Sequence, residues 1–239
     1  MLIKTQAFIL SSIKYNEADA IVKAYTKETG FTTFFVRNLY KGTKGKIKKA
    51  YLQPAAIVDL VMNSRNKAGM EYIKEVSPVH HYQSLHSDFD KMNISVFMRE
   101  ILLSTLPQEP QDEALFEFVK NEFISLDQSE FDINFHLFFM IKLLGQIGIS
   151  PDPGTQGRYF DLQGGVFTDS PLSFDLCMNE SQSYIFRELL GTIFASKKEV
   201  SISNQTRRKL LDDLITYLEL HISNFRKPKS LSILSSLYS

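Results

Sequence analysis

The chain has 239 residues, 44% of them hydrophobic, with 19 Phe and 10 Tyr, a composition that supplies packed cores and excludes a disordered chain. Its net charge of zero hides an asymmetry: residues 1–80 carry 13 Lys/Arg against 6 Asp/Glu, and residues 81–239 carry 14 against 21. The single cysteine, Cys177, excludes an intramolecular disulfide and a multi-cysteine zinc site, and fits a reducing cytoplasm.

The chain opens MLIKTQAFIL. This short apolar run has no small-residue cleavage site and is not expected to act as a signal peptide. No apolar stretch reaches the ~18 residues that a membrane span needs, so a soluble, cytoplasmic protein is expected. The first 80 residues read as strands at 3–12, 19–26, 30–36, 54–62 and 70–79, with turns at 14–17, 28–30 and 66–69. Five short strands predict an N-terminal five-stranded OB-fold barrel, closed or partly open.

The period turns helical near residue 85. Ser87-x-x-Asp90 resembles a capping box, and residues 89–106 place Met92, Val96 and Leu103, with Phe89 and Ile101 nearby, on an apolar face. Pro107 and Pro110 break the pattern. A second helix is predicted over 112–126, with Leu115, Phe116, Val119 and Phe123 inward. A third covers 134–147 and is apolar nearly all round, which suits the centre of a domain. Residues 158–168 read as a small β-hairpin around Gly164-Gly165. Helices resume at 181–195 and 205–223, and a short one follows Pro228. The expected architecture is α+β and multidomain, with a barrel at 1–80 and a mostly α-helical domain at 81–239 carrying the hairpin.

The strongest chemical signal is a run of cations. No acidic residue lies between Glu28 and Asp59, whereas Arg37, Lys41, Lys44, Lys46, Lys48 and Lys49 all do. Spaced by Gly42 and Gly45, these six side chains can follow a phosphate backbone, with an affinity that falls steeply with salt. Phe31, Phe34, Phe35, Tyr40 and Tyr51 surround them. OB-folds hold single strands by stacking bases on such rings, at roughly 1–3 kcal/mol per base. Some of these rings belong to the barrel core.

Other clusters carry less. His80, His81 and His86 lack a familiar metal spacing and read as surface or interdomain residues. Asp88 and Asp90 suit the first turn of a helix. Arg207-Arg208-Lys209 precedes Asp212-Asp213, and pairing along one helix accounts for them, although the basic trio is also free to meet a partner. No G-x-S-x-G, P-loop, G-x-G-x-x-G or H-E-x-x-H motif occurs, so no catalytic residue is assigned and the protein is not expected to be an enzyme.

The order of the segments resembles the bacterial RecO family of recombination mediators. Tyr15-Asn16-Glu17-Ala18-Asp19-Ala20-Ile21-Val22, then Tyr25-Thr26 and Gly30, is similar to its opening Y-x-E-x-D-x-I-V, aromatic-T and G. Val36-Arg37-Asn38 resembles its A-R-G with basic residues behind it, Asn38 standing for the usual Gly. Leu52-Gln53-Pro54 matches its L-Q-P. Leu143-Leu144 with Gly148 and Pro151 is similar to L-L-x-x-x-G-x-x-P, and Tyr159-Phe160-Asp161 with Gly164-Gly165 to its hairpin. Leu218, His221, Lys229, Ser230, Leu231 and Leu234 resemble its close.

The resemblance implies binding of single- and double-stranded DNA and annealing of complementary strands. It also implies partnership with RecR and with the acidic C-terminal tail of single-stranded-DNA-binding protein, so that RecA loads onto coated DNA in the nucleoid. The tail site is expected on the helical domain. Arg37 and Lys41 fall on the family's basic segment; Lys44, Lys46, Lys48 and Lys49 rest on the charge pattern. Many members bind a structural zinc through four cysteines on the hairpin. Residues 150–178 hold only Cys177, so no metal or other cofactor is expected, and Tyr159, Phe160, Val166, Phe167 and Phe174 are expected to hold the hairpin by packing. Two other readings remain open from sequence: an RNA- or DNA-binding OB-fold adaptor without mediator activity, and a metal-dependent phosphoesterase using His80, His81 and His86.

Overall fold

Burial on both faces explains the most apolar stretch of the first strand. In the computed structural model, which describes residues 2–41, 47–63, 69–106, 111–195 and 202–237, β1 (Leu2–Lys14) is the longest strand. Residues 7–10 are wholly buried. Ala7 and Ile9 point into the barrel core. Phe8 points the other way, onto Phe123, with ring centroids 4.5 Å apart.

The five strands are β1, β2 (Ala20–Thr26), β3 (Gly30–Val36), β4 (Ile57–Asn63) and β5 (Tyr72–Pro78). All pairings within the sheet are antiparallel, in the order β3-β2-β1-β4-β5. One parallel bridge joins the two edges: Phe35 N–H donates to Glu71 O and Glu71 N–H to Thr33 O, both at 2.9 Å. This is the partly open OB-fold barrel expected from the strand pattern. The inward row is Ala20, Val22 and Ala24 on β2, Phe34 and Val36 on β3, and Val58, Leu60 and Met62 on β4. A 3-10 turn, Lys49–Leu52, drops Leu52 into the same core.

Two helices, α1 (Phe89–Thr105) and α2 (Glu113–Gln128), belong to this unit, which spans Met1–Glu130. Asp88 caps α1, accepting from the N–H groups of Asp90 and Lys91, so the cap lies one residue beyond the expected Ser87. The buried stripe of α1 is Ile94, Phe97, Met98, Ile101 and Leu102. The expected face is corrected in part: Ile101 is buried as expected, whereas Phe89 is 61% exposed and Met92 39%. On α2, Leu115, Phe116, Val119 and Phe123 are buried as the pattern predicts.

The acidic excess is also local. Residues 81–130 carry 10 Asp/Glu against 3 Lys/Arg, whereas residues 131–239 carry 11 of each. The charge split lies inside the first unit, between a basic barrel and two acidic helices. Lys27 of the β2–β3 turn joins them, 2.8 Å from Glu113 and 3.5 Å from Glu117.

The second unit spans Phe131–Ser239. It holds α3 (Phe135–Gln146), β6 (Tyr159–Asp161), β7 (Val166–Thr168), β8 (Cys177–Met178), α4 (Glu180–Ala195), α5 (Asn204–His221) and α6 (Leu231–Leu237). The expected hairpin is β6–β7, and β8 adds a third strand on the far edge of β6. Phe160 is the hub of its packing, 5.0 Å from Phe167 and 4.8 Å from Phe186 between ring centroids. Phe174, expected to help hold the hairpin, is 68% exposed, and its ring meets the rim of the hairpin at Tyr159, with centroids 5.6 Å apart. Among the described residues, no helix is long and apolar enough to cross a membrane.

Candidate nucleic-acid interface

Two turns meet at one end of the barrel, and their meeting holds the backbone between Arg37 and Lys41. In the β1–β2 turn, Asn16 Oδ1 accepts the N–H groups of Ala18 and Asp19, both at 2.8 Å, and Asn16 Nδ2 donates to Asp19 Oδ2 at 2.8 Å. This is an Asx turn, which short amide side chains form by bonding the backbone two and three residues on. Asp19 then accepts the Asn38 N–H at 2.9 Å. Tyr40 N–H donates to Ala18 O at 2.9 Å. Asn38 has φ +57°, a left-handed conformation that Asn tolerates and Gly adopts freely. These bonds to Asn38 and Asn16, with Arg37 and Lys41 nearby, hold the Asp19 carboxyl below the usual carboxylate range. The residues that resemble the family's opening motif thus form the clamp on the exit of β3.

Arg37 and Lys41 leave that clamp exposed. Lys48 and Lys49, also exposed, start the 3-10 turn. Lys49 and Lys14 both lie over the Tyr40 ring, at 4.9 and 5.8 Å from its centroid. Lys48 lies 5.5 Å from the Tyr51 centroid and Arg37 5.5 Å from that of Tyr72. Lys44 and Lys46 lie outside the described residues. Lys14 and Tyr72 were missed from sequence, because each comes from a different strand.

Strand parity sorts the aromatic residues. Phe34 is fully buried core. Phe35 faces outward, between Tyr15 at 5.6 Å and Tyr72 at 6.2 Å, in edge-on contacts. Tyr15 is 61% exposed and Ile13 beside it 59%. Tyr15, Ile13 and Phe35 thus form an apolar patch on the outer face of the barrel. Arg37 joins it to the basic segment.

His80, His81 and His86 all line one groove, of about 250 Å3, beside the 3-10 turn. Among the described residues, no three His, Cys, Asp or Glu are gathered to hold a metal ion. Behind His80 sits Asp127, 3.9 Å from its Nε2. Burial alone pushes the Asp127 carboxyl up, but the N–H groups of Gln83, Ser84 and Leu85 and the Ser84 hydroxyl outweigh it and hold the group below the usual range.

The lone Cys177 cannot supply the tetrahedral thiolate set of a structural zinc site. Its Sγ donates to Phe174 O at 3.3 Å, and burial, with Asp161 nearby, pushes the thiol up. Arg207 is likewise used internally, donating to Asn134 Oδ1 at 2.8 Å and Ile202 O at 2.9 Å. Lys209 pairs with Asp213 at 3.3 Å along the helix.

Residues 1–82 match the family model for the N-terminal region of Recombination protein O, and residues 86–231 match that for its C-terminal region. Full-length relatives are named DNA repair protein RecO. Those of Christiangramia forsetii, Flavobacterium psychrophilum and Flavobacterium johnsoniae are 37%, 33% and 32% identical, with 100% of each chain covered. On these matches, spread over both units, the chain belongs to the RecO family of DNA repair proteins.

Proposed function

We propose that this protein is a non-catalytic mediator of recombinational repair. It binds single- and double-stranded DNA, anneals complementary strands and helps load RecA onto DNA coated by single-stranded-DNA-binding protein. One observation carries the reading: four exposed cations, Arg37, Lys41, Lys48 and Lys49, cluster with aromatic rings at one end of an OB-fold barrel, in a stretch without a single acid. Cations there neutralise phosphates, and rings take unpaired bases. Lys44 and Lys46 extend the same segment. RecR and the acidic tail of single-stranded-DNA-binding protein are the proposed protein partners, and the nucleoid is the place of work.

The test is annealing of two complementary labelled strands, bare and coated, across a salt series. Acceleration on coated strands that fades with salt supports the mediator. Binding without annealing points instead to a nucleic-acid adaptor.

A further inference from the structure

We propose that the groove beside the 3-10 turn takes one unpaired base of a bound strand. This rests on the DNA-binding reading above. The groove is lined by Tyr51, Gln53, Pro78, His80, Tyr82 and His86 among others, and its volume is about 250 Å3. That is below the roughly 300–1,000 Å3 of pockets for drug-sized ligands, so it suits a single ring system.

Its wall is built in advance. The Tyr82 ring stands edge-on between His80 and His86, with centroids 4.8 and 5.5 Å away and interplanar angles of 75° and 89°. Tyr82 OH donates to Ala55 O at 2.9 Å, which fixes the ring to the turn before β4. His80 is backed by Asp127, whose oxygens are spent on the backbone of residues 83–85. The wall therefore needs no reordering when a flat ligand enters.

Charge at the mouth selects the ligand. Lys48 lies over the Tyr51 ring, and Lys49 follows it. A base in the groove would bring its phosphate toward Lys48, the cation over the Tyr51 wall. The exposed Gln53 offers an amide, one acceptor and two donors, to a base edge. His81, exposed at the same groove, offers a second polar contact.

The experiment compares a labelled single strand with an abasic strand of equal length, using the full chain. The ordinary strand is expected to bind about tenfold tighter, the change that ~1.4 kcal/mol of stacking makes. The triple variant Gln53→Ala, His81→Ala, His86→Ala alters only exposed side chains; circular dichroism checks its fold. It is expected to lose the preference and keep its salt dependence. Equal affinity of the unaltered chain for both strands overturns the groove assignment and leaves DNA binding standing. A preference that survives the triple variant but vanishes in Tyr15→Ala, Phe35→Ala moves the base to the outer sheet face and also overturns it. Binding to neither strand removes the DNA-binding reading itself.

Discussion

Asp19 Oδ1 accepts the backbone N–H of Asn38 at 2.9 Å, and this one bond ties the start of β2 to the exit of β3. Arg37 sits immediately before that anchor and Lys41 three residues after it. Asp19→Ala is expected to weaken DNA binding while leaving the melting temperature nearly unchanged, because the Asp19–Asn38 bond it removes is exposed and every core side chain is kept. Hydrogen exchange at the Asn38 and Tyr40 amides should quicken. The carboxyl is held below its ordinary 3.8, so the clamp is complete above that pH and lost as pH falls through the lowered value. Asn38→Gly is expected to be tolerated, whereas Asn38→Val should cost about 1–2 kcal/mol for a left-handed residue with a branched side chain.

Charge reversal at Lys46, Lys48 and Lys49 together should abolish tight DNA binding without unfolding the chain. On single strands each lost phosphate contact lowers the slope of log affinity against log salt by ~0.7, and on duplex by ~0.9. Titrations at several salt concentrations read this directly. Lys27→Ala is the control. Lys27 lies at the other turn of β2, engaged with Glu113 and Glu117, and its loss should leave the slope unchanged. An unaltered slope in the triple variant would show that the cations sit elsewhere on the strand's path.

Strand order, helix order and the basic segment were legible in the sequence because each is a local pattern. What stayed hidden depends on pairing between distant residues. The α1 face is an example: residues 89–106 offer two apolar stripes, and the denser one, Ile94, Phe97, Met98, Ile101 and Leu102, is the buried one. The two-residue strand Cys177–Met178 is too short to show a period. At the site, the cations were visible, but the rings were not sorted, since one step along β3 separates buried Phe34 from outward Phe35. Lys14 and Tyr72 reach the surface from β1 and β5, and only the barrel brings them to the β3 exit.

Asp127→Ala is expected to lower stability by about 2–4 kcal/mol, because three N–H groups, that of Leu85 fully buried, lose their acceptor at once. Asp127 is 3% exposed and accepts from Gln83, Ser84 and Leu85, at 3.0, 2.8 and 2.8 Å. Its folded pKa lies below the ordinary 3.8, so its contribution is present above that value and lost as pH falls through the lowered one. Denaturant titrations at neutral pH and near pH 3 should show the gap between parent and variant narrowing in acid. A constant gap would mean that the carboxylate charge contributes nothing and only packing is lost.

Two glycines of the second unit should respond in opposite directions to the same substitution. Gly157 has φ +154°, and a Cβ there would lie 2.2 Å from the Thr168 nitrogen. Thr168 pairs with Tyr159 in the hairpin, and Arg187 Nη2 donates to Gly157 O at 2.9 Å. Gly157→Ala must therefore displace β7 or the segment leading into β6, at a cost of at least ~1 kcal/mol. Gly145 lies inside α3, with nothing within 4 Å of an added Cβ. Gly145→Ala should stabilise by about 0.5–1 kcal/mol, since alanine loses less backbone entropy in a helix. Thermal melts of the two variants against the parent decide it, and amide exchange at Tyr159 and Thr168 locates the first effect. A Gly157→Ala melt equal to the parent would show that the hairpin yields without cost, and that the Phe160 cluster alone holds it.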